Sequence, residues 1–365
     1  MKKLFYILIG MSFLGYLFQS CDPVDPPTTE NAIEVTADIT SSVTWTANNV
    51  YVINKPDFAV DGATLSIEAG TVIKFKPNYI YMTIYNNGKI TANGTSTSPI
   101  ILTSYKDDNN GGDTNGDGGN TIPAAGDWGN IDLNGFAGSE FVHCKFLYGG
   151  QGTAAAPTLN LSAGAQAKID NCTFAFNTGG KAGAFYIGVL NASSANNSTI
   201  ITNNTFYNNT LPLTIAAEIN INNSNSFSNS GNGNKFNGIF VSGNIDKNTE
   251  WTEDEVAFVS TSETMQIASG KTLTLGDNVV IKFIENRTLE IVDNEAALIN
   301  YNGSGVYFTS YKDDSLKGDS NGDNETTLPA PADWVGIYIY GMGIKTQGYA
   351  NWENIKYNDP NPPVK

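Results

Sequence analysis

One block of this chain is written twice at a fixed interval. Tyr105-Lys106-Asp107-Asp108, Gly112-Asp113-Thr114-Asn115-Gly116-Asp117, Pro123 and Asp127-Trp128 return as Tyr311-Lys312-Asp313-Asp314, Gly318-Asp319-Ser320-Asn321-Gly322-Asp323, Pro329 and Asp333-Trp334. Every pair is 206 positions apart (311 − 105, 334 − 128). Upstream, Trp45-Thr46 pairs with Trp251-Thr252 at the same offset. Val72-Ile73-Lys74-Phe75 pairs with Val280-Ile281-Lys282-Phe283 at 208 (280 − 72). Blocks 45–135 and 251–341 are therefore a duplicated unit carrying an acidic loop. Self-similarity of this length marks a stacked-repeat chain, in which one unit buries its apolar face only against a neighbour.

The apolar residues after position 30 alternate, as in Leu65-Ser66-Ile67, Leu273-Thr274-Leu275 and Ile337-Tyr338-Ile339, and Gly, Asn and Asp separate the runs. Period-two runs of three to six residues bounded by turn formers are short strands, so the chain is all-β. Between the copies, Ile169-Asp170-Asn171-Cys172-Thr173-Phe174 with Asn177 recurs 32 positions on (201 − 169) as Ile201-Thr202-Asn203-Asn204-Thr205-Phe206 with Asn209. Asn225-Ser226-Phe227 with Asn229 makes a weaker third copy. Stacked coils would place Phe over Phe and Asn over Asn, with Asn tolerating left-handed turn positions.

Through these Asn-Cys-Thr-Phe and Asn-Asn-Thr-Phe coils the sequence resembles the right-handed parallel β-helix of pectate-lyase-like proteins. Through Ala92-Asn93-Gly94-Thr95, Pro99-Ile100, Thr103-Ser104, the Gly-Asp-Thr-Asn-Gly-Asp loop and Gly126-Asp127-Trp128-Gly129 it resembles surface lipoproteins of Gram-negative bacteria. The resemblance implies a single-stranded right-handed parallel β-helix, a solenoid with two long acidic loops, over residues 41–357, followed by a polar tail, 358–365. A pair of β-sandwiches, one per copy, is the competing architecture; it leaves the Asn-rich residues 140–240 in neither copy.

Met1-Lys2-Lys3, the apolar run Leu4 to Leu17 and Ser20-Cys21 describe an export signal over 1–20. Cys21 stands where a lipoprotein signal places its acylated cysteine, and 21–40 reads as a flexible tether. This gives a lipid anchor on the outer membrane or cell surface. The net charge of −16 repels phosphate backbones and excludes nucleic acid as a partner. Cys144 and Cys172 each stand two residues before a phenylalanine, which suggests inward positions. They are either two buried thiols or a disulfide.

Asp113, Asn115 and Asp117, like Asp319, Asn321 and Asp323, fall at i, i+2 and i+4 around a glycine, the opening of a calcium loop. Position twelve holds Ala124 or Ala330 in place of the bidentate Glu, so neither loop is an EF-hand. The loops look closer to dockerin-like or thrombospondin-like repeats that recruit outside carboxylates. Candidate ligands are Asp107, Asp108 and Asp127 in the first copy and Asp313, Asp314 and Asp333 in the second, around a structural Ca²⁺. The alternative is that Asp, Asn and Gly simply form turns.

Trp128 and Trp334, with Tyr105 and Tyr311 across each loop, are candidates either for stacking on sugar rings or for packing the loop to the solenoid. Alternation over Val142-His143-Cys144-Lys145-Phe146 puts Val142, Cys144 and Phe146 inward and His143 outward. Arg287, the one arginine, lies in a turn. Neither has a partner motif for catalysis. The sequence thus points to a surface protein that binds or presents, with polysaccharide or another surface protein as partner. A polysaccharide lyase or glycoside hydrolase with an unrecognised site is the alternative.

Overall fold

The computed structural model describes residues 31–77, 80–135, 138–151, 156–162, 164–183, 185–293, 295–340 and 347–363. The signal segment, Cys21 and most of the expected tether lie outside them. Among the described residues there is no helix. The strand ladders are parallel except for the hairpin Gly180–Ala182 with Phe185–Ile187 and the terminal pair Gly336–Ile339 with Gly348–Tyr349.

The first coils pass through three faces in turn. Face A holds Ala32–Val35, Val50–Ile53, Val72–Phe75, Ile100–Ser104, Cys144–Leu147, Thr173–Ala175 and Thr205–Tyr207. Face B is a ten-stranded sheet that begins at Phe58–Asp61 and ends at Tyr307–Ser310. Face C runs from Val43–Trp45 to Ile200–Thr202. This is a parallel β-helix. Because face B is one unbroken sheet through both copies and the coils between them, two separate sandwiches are excluded.

Alternation turns one side of every strand into the hollow of the coil. Phe146, Phe174, Phe206 and Phe227 stack there with centroids 4.6, 5.0 and 5.3 Å apart and planes within 10°. Each such pair adds roughly 0.5–1.5 kcal/mol beyond its buried area. The amides stack as the aromatics do. Asn177 Oδ1 accepts the Gly149 N–H, Asn209 Oδ1 accepts both the Asn177 N–H and its Nδ2, and Asn234 Oδ1 does the same for Asn209. A second column runs through Asn204 and Asn225. Above it stand Cys172 and Cys144, both buried and unpaired by a disulfide; the Cys172 thiol lies 3.3 Å from the Phe141 carbonyl, matching the Asn204 amide bond to the Ile169 carbonyl.

Three expectations shift. The left-handed corner residues are those preceding the ladder: His143, Tyr148, Asn171, Phe176, Asn203 and Asn208 all have φ between 48° and 64°. His143 therefore breaks the alternation, so Phe141 faces inward and Val142 does not. The 177–209 column continues through Asn234, while Asn229 sits in a separate turn bridged to Asn232. Residues 32–39, expected within the tether, form the first coil, pairing Ala32–Val35 with Val50–Ile53 and Ile39 with Val60. At the other end Asp359 donates its backbone N–H to the Trp334 carbonyl, so the tail begins docked.

The two copies do not occupy the same faces. Val72–Phe75 lies in face A and Val280–Phe283 in face B. Face A stops after Thr205–Tyr207, apart from one bridge to Ser226. The next backbone donor, Phe227 N–H, is taken by the Glu255 carboxylate at 3.0 Å instead of a strand. Two new faces then start, one at Thr249–Trp251 and one at Thr264–Ile267. The first acidic loop thus leaves between faces A and B, and the second between face B and the face that starts at Thr264–Ile267.

Candidate functional site: two carboxylate flaps and an aromatic cleft

Each acidic loop is a flap folded back over the outer side of the strands that lead into it. Gly111, at φ +77°, lies so close to Val50 that a Cβ would sit 2.9 Å from Val50 Cγ2. Beneath the flaps are Lys74 and Lys282, buried on the outward side of otherwise apolar strands, donating to the Gly112 carbonyl at 2.6 Å and the Gly318 carbonyl at 2.7 Å. Burial pushes both amines down, Lys282 to about 8, and the neighbouring flap carboxylates oppose that shift. These lysines were missed in the sequence, although a cation at the same place in both copies of an apolar strand is a readable signal.

The predicted ligands separate into two groups. Asp107 and Asp313 are buried at the root of the flap, accepting from Thr103 and Thr309 hydroxyls at 2.6 and 2.7 Å. Asp127 and Asp333 take Ser104 and Ser310 hydroxyls, the Ala124 and Ala330 amides and the Lys106 and Lys312 amines. Asp107 and Asp313 anchor the leading end of each flap, Asp127 and Asp333 tie its two ends together, and all four lie outside the metal-competent clusters. Asn115 and Asn321 also turn inward on the loop, each donating Nδ2 to the next Asp at 3.0 Å.

The remaining carboxylates converge. Asp108, Asp113 and Asp117, and likewise Asp314, Asp319 and Asp323, bring ligand oxygens within 4.8 Å of one another, in positions that could hold a metal ion. Asp113 and Asp319 are fixed by the Gly116 and Gly322 amides; Asp117 and Asp323 are held below the usual range chiefly by Thr121 and Thr327 hydroxyls. Asp108 and Asp314 are pushed up, first by burial and then by the Asp113 or Asp319 charge. Asp108 Oδ1 is buried without a partner. Both Asp314 oxygens lack a hydrogen bond of good geometry, the Glu325 amide making only a weak contact. Buried lone pairs facing other carboxylates are costly. A hard cation that takes six to eight oxygens at flexible angles fits such a donor set.

Trp128 and Trp334 are fully buried, stacked on Phe75 and Phe283 at 4.1 Å, with Nε1 donating to the Leu147 and Lys356 carbonyls. No face is left for a ligand, so these residues pack the flap. Tyr105 donates to the Thr114 carbonyl inside its flap, and Tyr311 packs beside the apolar cluster of Tyr186, Phe240 and Val259. Arg287 is half-buried, its Nε bonded to the Thr261 carbonyl. Among the aromatic rings that meet solvent are Tyr148, Phe176 and Tyr207 along the outer edge of face A, where Tyr148 stacks on Phe176 with centroids 5.6 Å apart and Tyr207 meets Phe176 edge-on at 5.7 Å. The spacing of 28 between Tyr148 and Phe176, shared by Cys144 and Cys172, was the available clue.

A family model described as a pectate-lyase like beta helix domain matches residues 37–154, which include the first flap. Residues 37–154 are thus similar to a pectate-lyase-like β-helix domain, and the later coils extend the same stack. No curated protein and no solved structure matches it.

Proposed function

We propose that the protein is a calcium-stabilised β-helix, held at the outer membrane or cell surface through Cys21, that binds polysaccharide. The observation that carries the binding reading is the outward row of Tyr148, Phe176 and Tyr207 beside the first flap. Aromatic rings left in solvent offer large, rigid, amphipathic contact area. Calcium would neutralise the Asp108 and Asp314 clusters, fixing both flaps against faces A and B. Arg287, half-buried with its Nε bonded to the Thr261 carbonyl, is drawn into the fold, which speaks against the lyase alternative.

Affinity electrophoresis through gels containing an acidic polysaccharide tests this. The wild-type protein should be retarded without releasing products that absorb at 235 nm. Chelation of calcium should lower its melting temperature, and the double variant D108N/D314N should lose that response while melting no lower than wild type in chelator, since it removes carboxylate repulsion. Saturating calcium to about 100 times Kd corresponds to roughly 2.7 kcal/mol per site. Product release, or a melting temperature indifferent to calcium, refutes the corresponding half of the proposal.

A further inference from the structure

The sheet of face C stops at Ile200–Thr202, and no ladder joins that strand to the coil that follows it. Ile221, in that next coil, bridges forward to Trp251 and makes no bridge back to 200–202. Between the two rungs lies a notch of about 550 Å³, the size of a ligand pocket. The inward residues Ile201 and Ile221 both line it, so the opening reaches down to the backbone.

Hydrogen-bond direction shows what the notch offers. Asn171 donates its N–H to the Thr202 carbonyl, so Ile200 and Thr202 turn their main-chain groups to the preceding coil and Ile201 turns its own to the following one. Ile221 donates to the Glu250 carbonyl and accepts from the Thr252 N–H, which leaves the N–H and C=O groups of Asn220 and Asn222 facing back into the notch. Those four groups make no hydrogen bond among the described residues. Thr199 adds a hydroxyl that is buried without a partner, the residue being 6 % exposed. Lys247 closes one end by donating to the Asn197 carbonyl at 2.9 Å, and the Asn225 amide closes the other on the Ile201 carbonyl at 3.1 Å.

Unpaired main chain along an extended segment is what an incoming strand recognises. Ile200, 47 % exposed, supplies an apolar wall. Glu250 is the single charged side chain of the lining, exposed and without an ion pair among the described residues. The lysines on the coils to either side are engaged, Lys168 with Asp170 and Lys247 with the Asn197 carbonyl. In a chain of net charge −16 a free carboxylate there selects a cation.

We propose that this notch docks an extended segment of a partner protein carrying a lysine or arginine: its main chain pairs with Asn220 and Asn222 as the missing rung of face C, and its cation meets Glu250. The site lies on a different face from the Tyr148, Phe176 and Tyr207 row and stands independently of the polysaccharide reading. Isothermal titration of the full chain tests it, with blocked hexapeptides of alternating threonine and valine that carry lysine, glutamine or glutamate at the fourth position. The lysine probe should bind at least about tenfold more tightly than the glutamate probe, with glutamine between. Glu250→Gln should erase that order at an unchanged melting temperature, because the backbone N–H of this residue keeps its bond to Asn220 Oδ1. Methylating the main-chain nitrogens of the lysine probe along one edge or the other should weaken binding at least about tenfold for one edge or both. Hydrogen exchange at Asn220 and Asn222 should slow when the lysine probe is bound. Failure of the lysine probe to bind, equal affinity for lysine and glutamate, or indifference to methylation of both edges overturns the proposal.

Discussion

Single side chains here act through the column they belong to. Asn209 shows the logic: its Oδ1 serves the Asn177 backbone and amide, and its Nδ2 serves the Phe174 carbonyl at 2.8 Å. Replacing it with alanine strands two buried donors and an acceptor on the preceding coil. With about 1–3 kcal/mol for each unsatisfied group, Asn209→Ala should cost roughly 3 kcal/mol in urea unfolding. Asn208→Ala, whose loss is confined to a left-handed backbone preference, should cost roughly 1 kcal/mol. Equal losses at the two positions would show that the ladder adds nothing to the fold. Cys172, one coil above Asn204, indicates how loosely the chemistry is specified, since a thiol fills the place of an amide and points at the matching carbonyl.

At the scale of elements, the turn after Thr249–Trp251 caps the end of face A. Glu255 caps Phe227 N–H and the Ser228 hydroxyl, while Glu253 Oε1 accepts the Glu255 N–H and its other oxygen is buried without a partner. Burial, followed by the Glu255 and Asp254 charges, pushes the Glu253 carboxyl up to about 7, although backbone amides partly offset this. In the unfolded chain this carboxyl ionises near 4.5. Between those values the folded state binds the extra proton, so this group makes stability fall as pH rises from about 4.5 to about 7. The loss should amount to roughly 3 kcal/mol. Unfolding free energies measured across that window should decline more steeply for wild type than for Glu253→Gln, and parallel slopes would rule the assignment out.

At the scale of the whole molecule, face B binds both copies into one stack. Residues 31–222 and 223–363 made separately should each expose a raw parallel edge, the situation that drives strands to aggregate. Size exclusion and circular dichroism should find no soluble monomer with full β signal from either half. Two well-behaved halves would restore the sandwich architecture. The duplication and the period-two runs already determined an all-β chain of stacked repeats with twin acidic loops, because strand periodicity and turn chemistry are local, and the resemblance carried by the Asn-Phe coils implied the parallel β-helix. The sequence also brought Asp108, Asp113 and Asp117 into view, yet it could not separate them from Asp107 and Asp127, since all five lie within 21 residues (127 − 107 + 1). Only the fold divided them into a converging cluster and a buried hinge. Likewise, identical VIKF strands landed on different faces, and Trp128 went inside while Phe176 stayed out. Those outcomes depend on which rung lies beneath each residue, and coil-to-coil register is a long-range property that no local pattern encodes.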